Sequence, residues 1–231
     1  LFALPEAAQA MRTSSTAILC EGYMDAIAFH AAGVANAVAP LGTSFTEPQA
    51  ALLKRYASTV VLCFDTDGAG IAAAERAIGI AESKGLGVRV LRLEGAKDPA
   101  EILEKNGPER LKKNAVSTIT SEDFILENAA SRLRAGDSGS KTEAFEYLFP
   151  FLANLSSDIR RDSLMVAASS RLGADPASVR SDFIRFLDKG SIRRHVQAPV
   201  PVASDDFAPS ADAELLAAVI ANAELFEAAR S

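Results

Sequence analysis

The sequence contains few of the residues that form disulfides and zinc sites. It has two cysteines and two histidines in 231 residues, no tryptophan and no Cys-x-x-Cys motif. Both cysteines, Cys20 and Cys63, lie in apolar runs, so we interpret them as buried, reduced thiols and expect no zinc site. No apolar run approaches the roughly 20 residues of a membrane span, and we expect no signal peptide. These absences favour a cytosolic protein without membrane association.

Positive charge is also scarce, because 24 Lys and Arg residues stand against 30 Asp and Glu residues, for a net charge of -6. This balance argues against the large basic face that accompanies nonspecific nucleic-acid binding. If nucleic acid is a substrate, a metal ion or another part of a longer protein has to supply positive charge. The sequence begins with Leu1 and not with Met, so we expect a fragment.

The order of apolar runs and helical patterns predicts an α/β domain followed by helices. From residue 14 to residue 106, short apolar runs alternate with helical segments, which is typical of a parallel sheet flanked by helices. Residues 107–190 show only helical patterns, which predict an all-helical subdomain. Residues 191–210 are rich in proline and lack periodicity, as linkers do. Residues 211–231 are amphipathic and cannot bury their apolar face alone, so we expect the start of a truncated helical domain.

Carboxylates stand directly after two of the predicted strands. The apolar run 60–64 is followed by Asp65 and Asp67, and the run 17–20 is followed by Glu21. Ligands bind outside the carboxyl ends of parallel strands, so we expect Glu21 beside Asp65 at that edge. Two ionised carboxylates about 4 Å apart repel by on the order of 4 kcal/mol at an effective dielectric of 20. The sequence therefore predicts a cation site.

The two aspartates after the second run have other interpretations. An EF-hand loop is excluded, because Ala69 and Arg76 occupy its fifth and twelfth positions, where oxygen ligands are required. A phosphatase-type aspartyl nucleophile stays open, although Ala69 stands where such enzymes usually carry Thr or Ser. Asp65 and Asp67 could also simply cap the next helix, but Glu21 at the neighbouring strand end favours a ligand site.

Two further acids lie near these strand ends. Asp98 precedes a proline, and Glu101 is placed to close a capping box, so helix capping explains Asp98 on physical grounds alone. Asp25 lies one turn along the helix from Glu21 and could face either the site or solvent.

Four motifs together resemble the TOPRIM module of bacterial DnaG-type primases. They are, in chain order, Glu21-Gly22-Tyr23-Met24-Asp25, Gly42-Thr43-Ser44, Phe64-Asp65-Thr66-Asp67-Gly68-Ala69-Gly70 and Lys97-Asp98-Pro99. The resemblance implies a Rossmann-like TOPRIM domain over residues 1–106 and the helical subdomain of the primase core over residues 107–190. It also implies that residues 211–231 begin a C-terminal helicase-interacting domain.

The resemblance implies a set of site residues and an activity. The implied catalytic and metal-binding residues are Glu21, Asp65 and Asp67, with Asp98 and Asp25 as further metal ligands and Gly42 and Thr43 as nucleotide contacts. The metal would be Mg²⁺ or Mn²⁺. Ala100 departs from the family pattern, because such primases often carry a second aspartate there. The implied reaction is DNA-directed RNA primer synthesis, in which the 3′ hydroxyl of one ribonucleotide attacks the α-phosphate of the next.

The implied partners are a single-stranded DNA template, ribonucleoside triphosphates and a replicative helicase, and the implied location is the bacterial cytoplasm at the nucleoid. A primase of this kind also carries an N-terminal zinc module and a basic subdomain, so we expect these 231 residues to be inactive alone. Two alternatives stay open. One is another TOPRIM enzyme, such as a nuclease or a piece of a topoisomerase, and the other is a non-catalytic replication adaptor.

Overall fold

The computed structural model describes residues 1–41, 44–65, 67–155 and 157–194. This part of the chain forms two compact units, one ending at Ser121 and the other beginning at Glu122. Gly42 and Thr43, the whole of the predicted helical segment 211–231 and most of the predicted linker 191–210 lie outside the described residues.

The first unit is built on a five-stranded sheet in which the first four strands are parallel. The strands are β1 (Thr16–Cys20), β2 (Ala37–Val38), β3 (Thr59–Cys63), β4 (Gly87–Leu91) and β5 (Thr118–Thr120). Their order is β2-β1-β3-β4-β5, and β5 pairs antiparallel with β4. The predicted α/β fold with a mainly parallel sheet is therefore confirmed. The two strands that precede the candidate acids, β1 and β3, are neighbours.

Helices cover the sheet of the first unit. They are α1 (Leu4–Ser14), α2 (Tyr23–Ala31), α3 (Glu47–Leu53), α4 (Gly68–Ser83), α5 (Pro99–Asn106) and α6 (Pro108–Ala115). Residues of α2, α5 and α6, including Phe29 and Ile102, share one hydrophobic core with Ile18 and Val61 of the sheet. The alternate strand residues, such as Leu19, are buried as well. Burial on both faces explains why these strands are continuous apolar runs.

The second unit consists of helices joined by short connections, and its described residues include no strand. Its helices are α7 (Ser121–Ala130), which begins at the last residue of the first unit, α8 (Ser138–Asn154), α9 (Asp158–Leu172) and α10 (Pro176–Arg194). Phe149 of α8 packs against Phe183 and Phe186 of α10, with ring centroids 5.5 and 5.6 Å apart. The expected helical subdomain is present.

Several expectations for local structure were wrong. We expected strand patterns to end before residue 107, but β5 forms the edge of the sheet, where Arg89 of β4 donates a hydrogen bond to the Thr118 hydroxyl. The two compact units also separate at Ser121 and not at residue 106. We expected Pro150 to kink or restart its helix, and Gly190 to end the last one. Instead α8 does not restart, because it runs from Ser138 to Asn154 with Pro150 inside it, and α10 continues to Arg194.

Within the described ranges, no helix combines the length and the apolar content that crossing a membrane requires.

Candidate active site at the carboxyl edge of the sheet

Glu21 and Asp65 meet where β1 and β3 end. The last residues of these strands, Cys20 and Cys63, are register partners, and both are free, buried cysteines. The Glu21 amide donates a hydrogen bond to the Cys63 carbonyl over 3.1 Å. The Glu21 carboxylate in turn accepts a hydrogen bond from the Asp65 amide, with 3.1 Å between Oε2 and N. Strand pairing therefore places Glu21 beside Asp65, as the sequence predicts.

Asp67 begins the helix that follows β3. Its Oδ1 atom accepts a hydrogen bond from the Gly70 amide over 2.8 Å, which caps the N-terminus of α4. A cap is thus one role of Asp67. Gly70 lies so close to the strand end that a Cβ atom there would be 2.2 Å from the Asp65 carbonyl oxygen. Only glycine allows α4 to start this close to Asp65, because that distance is far inside van der Waals contact.

Asp25 and Asp98 approach the same edge from α2 and α5. Asp25 Oδ2 accepts a hydrogen bond from the Gly22 amide over 3.3 Å, which holds the turn that follows Glu21. Asp98 caps α5, and its Oδ1 atom accepts a hydrogen bond from the Glu101 amide over 2.7 Å. The Glu101 carboxylate bonds the amide of the preceding Lys97 at 2.8 Å and not that of Asp98, so the expected capping box has a different form.

The proximity of these acids raises two of their pKa values. Burial, together with the negative charges of Asp98, Asp65 and Glu21, raises the pKa of Asp25 to about 6, although the hydrogen bond from the Gly22 amide lowers it. Asp25 is therefore partly protonated near pH 6. Its carboxylate faces the site, where sequence reasoning left its direction open.

The pKa of Asp65 is raised for similar reasons. Burial contributes most, followed by the negative charges of Glu21, Asp67 and Asp98, while the positive charge of Lys97 lowers it. The negative charges of Glu21, Asp67 and Asp98 thus act on Asp65, on Asp25 or on both. A cation bound among them would relieve this repulsion.

The geometry does not form a complete protein cage for a metal. Among the residues that the structure describes, no three His, Cys, Asp or Glu side chains come together closely enough to hold an ion. Carboxylate oxygens nevertheless suit hard divalent cations, and Mg²⁺ is usually bound by one or two carboxylates together with water and phosphate oxygens. Glu21 and Asp65 fit that kind of site, and their mutual repulsion favours a cation there.

A groove of about 590 Å³ opens beside Glu21 and is lined by the start of α2, by Pro40, Ser44 and Phe45, and by α4. Arg76 forms part of its wall, a residue that sequence reasoning considered only as a failed EF-hand position. The sequence does contain a pattern that points to Arg76. Ala69, Ala73 and Arg76 share one face of the predicted helix, and the two small alanines leave room beside the arginine.

Residues 18–103 match the Toprim-like family. The whole chain aligns with a DNA primase of Treponema pallidum, with 37% identity over 242 residues. This chain is homologous to part of DNA primase. It spans 40% of the length of the Treponema primase.

Solved primase structures share the fold. The crystal structure of the zinc-binding and RNA polymerase domains of the Aquifex aeolicus primase is 29% identical, with a TM-score of 0.63. That match covers 77% of this chain and 42% of the Aquifex chain. A DnaG primase catalytic domain bound to single-stranded DNA is 26% identical, with a TM-score of 0.59, over 71% of this chain and 53% of that one.

Proposed function

We propose that this chain is the metal-binding part of a DNA primase, which makes RNA primers on a single-stranded DNA template during replication. The observation that carries the proposal is the alignment of the whole chain with a DNA primase. The contact between Glu21 and Asp65 agrees with it, since it supplies the acidic edge that nucleotidyl transfer needs.

In this proposal Glu21 and Asp65 hold the divalent cation, Mg²⁺ or Mn²⁺. Such a cation, when bound, lowers the pKa of an attacking hydroxyl and neutralises charge on a leaving pyrophosphate. Asp67 fixes the start of α4 and, with Asp98 and Asp25, adds negative charge around the ion. Asp25 also orients the turn after Glu21 through its bond to the Gly22 amide. Gly42 and Thr43 are proposed to contact a nucleotide, and they lie outside the described residues.

We propose single-stranded DNA and ribonucleoside triphosphates as ligands, and one similar primase domain has been solved with single-stranded DNA bound. Because the chain carries a net charge of -6, the bound cation or another part of a longer protein has to supply part of the attraction for phosphates. We further propose that residues 211–231 begin a helicase-binding domain and that the protein acts in the bacterial cytoplasm.

A titration with Mn²⁺, followed by electron paramagnetic resonance, tests the site. We expect saturable binding by the wild-type chain, weakened at least about tenfold by Glu21→Gln and by Asp65→Asn, because each removes a charged ligand. Asp67→Asn separates the cap of α4 from the negative charge that Asp67 adds around the ion, since asparagine caps a helix as well as aspartate does. The control is Glu109→Gln, whose side chain is 83% exposed and paired with Lys112. Equal binding by all variants would contradict the assignment.

An RNA synthesis assay tests the activity. The 231-residue chain and a full-length primase that contains it are each given a single-stranded DNA template, labelled ribonucleotides and Mg²⁺. We expect RNA primers from the full-length protein only, and at least about a hundredfold less from its Glu21→Gln variant. Strong synthesis by the shorter chain would show that it is active alone. Cleavage of the template without RNA synthesis would instead support the nuclease alternative.

A further inference from the structure

The groove beside Glu21 contains a cation as well as an acid. Arg76 reaches its wall from α4, and Glu21 lies on the wall formed at the end of β1. The volume of about 590 Å³ falls within the range of about 300–1,000 Å³ that is usual for small-molecule sites. A ligand in the groove would therefore contact Arg76 and lie next to the acidic edge.

Arg76 is exposed, and among the described residues it forms no ion pair and no hydrogen bond through its side chain. Several other arginines of the chain do have carboxylate partners. Arg134, for example, bonds both Asp137 and Glu143. The guanidinium group of Arg76 is thus available, and its planar set of donors matches the geometry of a phosphate group.

Aromatic rings line the same groove. Tyr23 is 43% exposed, and its ring is held by Phe2 at 6.1 Å between centroids. Phe64, the residue just before Asp65, is half-buried and also lines the groove. Nucleic-acid bases stack on aromatic rings, and arginine commonly accompanies such surfaces. An aromatic surface next to an unpaired guanidinium suits a nucleotide better than it suits an inorganic anion.

We infer that this groove binds a nucleotide and that Arg76 contacts its phosphate, beside the carboxylates of Glu21 and Asp65. The inference rests on the proposed function, because it adds a second cationic group, besides Lys97, to the edge where the phosphate would bind. The phosphate can belong to a ribonucleoside triphosphate or to a DNA strand. The two sources share the same chemistry, and the experiment separates them.

The test compares Arg76→Gln, Arg76→Lys and the matched control Arg55→Gln. Arg55 is likewise exposed and unpaired within the described residues, but it precedes β3 at the opposite edge of the sheet. Binding of a fluorescent GTP analogue and of a fluorescein-labelled twelve-residue oligothymidylate is followed by anisotropy at fixed ionic strength, with Mn²⁺. We expect Arg76→Gln to weaken binding of one probe at least about tenfold, since a charge-assisted bond is lost. Arg76→Lys should recover part of the loss, and Arg55→Gln should match wild type.

A second pair of measurements separates this inference from the metal assignment. Mn²⁺ affinity without nucleotide should be unchanged, within about twofold, in Arg76→Gln, because Arg76 is not proposed as a metal ligand. In EDTA, the Glu21→Gln chain repels phosphate less, so it should bind the probe that responds to Arg76→Gln. The double variant with both Glu21→Gln and Arg76→Gln should lose that binding. If Mn²⁺ fails to bind the wild type, the metal assignment falls, and this EDTA comparison still decides the role of Arg76.

The probe that responds identifies the source of the phosphate. An effect on the GTP analogue points to the triphosphate, and an effect on the oligothymidylate points to the DNA strand. The inference is overturned if Arg76→Gln binds both probes as tightly as wild type, or if Arg55→Gln weakens binding equally. Failure of the wild-type chain to bind either probe, with and without Mn²⁺, would also overturn it.

Discussion

Burial and three neighbouring acids keep a proton on Asp25 at a pH where a free aspartate is ionised. Its pKa is about 6 in the folded chain, against 3.8 for the ordinary side chain. The folded state therefore binds more protons than the unfolded state between these two values. As the pH rises through this window, the free energy of unfolding falls, and the loss is complete only well above the folded pKa of about 6.

We expect Asp25→Asn, in the absence of metal, to stabilise the chain above pH 7 and to have little effect near pH 4. The full shift from 3.8 to about 6 corresponds to at most about 3 kcal/mol, and partial exposure of the side chain reduces this to about 1–2 kcal/mol. Urea denaturation at the two pH values measures the difference. Glu109→Gln is the control, and a stability gain for Asp25→Asn that is the same at both pH values would refute the explanation.

Single residues show where sequence reasoning succeeded and where it stopped. Glu21 and Asp65 could be paired in advance, because β-branched apolar runs mark parallel strands and both acids directly follow such runs. The direction of Asp25 could not be predicted, since one helical turn from Glu21 allows either the site or solvent. Arg76 was missed because its importance depends on the shape of a groove that forms only in the folded chain.

Helix α4 depends on Gly70 for its position. We expect Gly70→Ala to destabilise the fold by about 1–3 kcal/mol, because the new methyl group overlaps the Asp65 carbonyl and either the helix or the strand end has to move. The displacement should also weaken Mn²⁺ binding. Thermal unfolding and the Mn²⁺ titration measure these two effects.

Gly68→Ala provides the matched control for Gly70→Ala. Gly68 is in the same helical turn, but a Cβ atom there would meet nothing within 4 Å. Alanine is also the better helix former, so this variant should be at least as stable as wild type. Equal losses in the two variants would show that helix propensity, and not contact with Asp65, governs this turn.

The elements that sequence reasoning missed have weak local signals. Helix α1 begins after Ala3, whose backbone is left-handed and which provides no side-chain cap. Strand β5 has only three residues, and it exists because the edge of β4 is available for pairing, which is a long-range effect. By contrast, Asp98 begins α5 as its capping pattern predicts. Capping is read from adjacent residues, whereas pairing at a sheet edge is not.

The first compact unit should fold without the second. Its main hydrophobic core consists only of residues before Ser121, and a domain of about this size can bury enough surface to be stable. We expect a chain of residues 1–121 to unfold cooperatively and to bind Mn²⁺ within about threefold of the 231-residue chain. Circular dichroism melting and the Mn²⁺ titration check this. A non-cooperative melt, or loss of binding in a folded 1–121 chain, would show that the site needs later residues.

The contact between Glu21 and Asp65 also has a consequence for the order of folding. The two residues are 44 positions apart, and α2, β2 and α3 lie between the paired strands β1 and β3. Helices form from local contacts, whereas pairing of distant parallel strands has to close a long loop first and is slow. A refolding chain should therefore recover its helical signal before it can bind Mn²⁺. A partly folded chain would contain both Glu21 and Asp65 and still bind no Mn²⁺ until the centre of the sheet has closed.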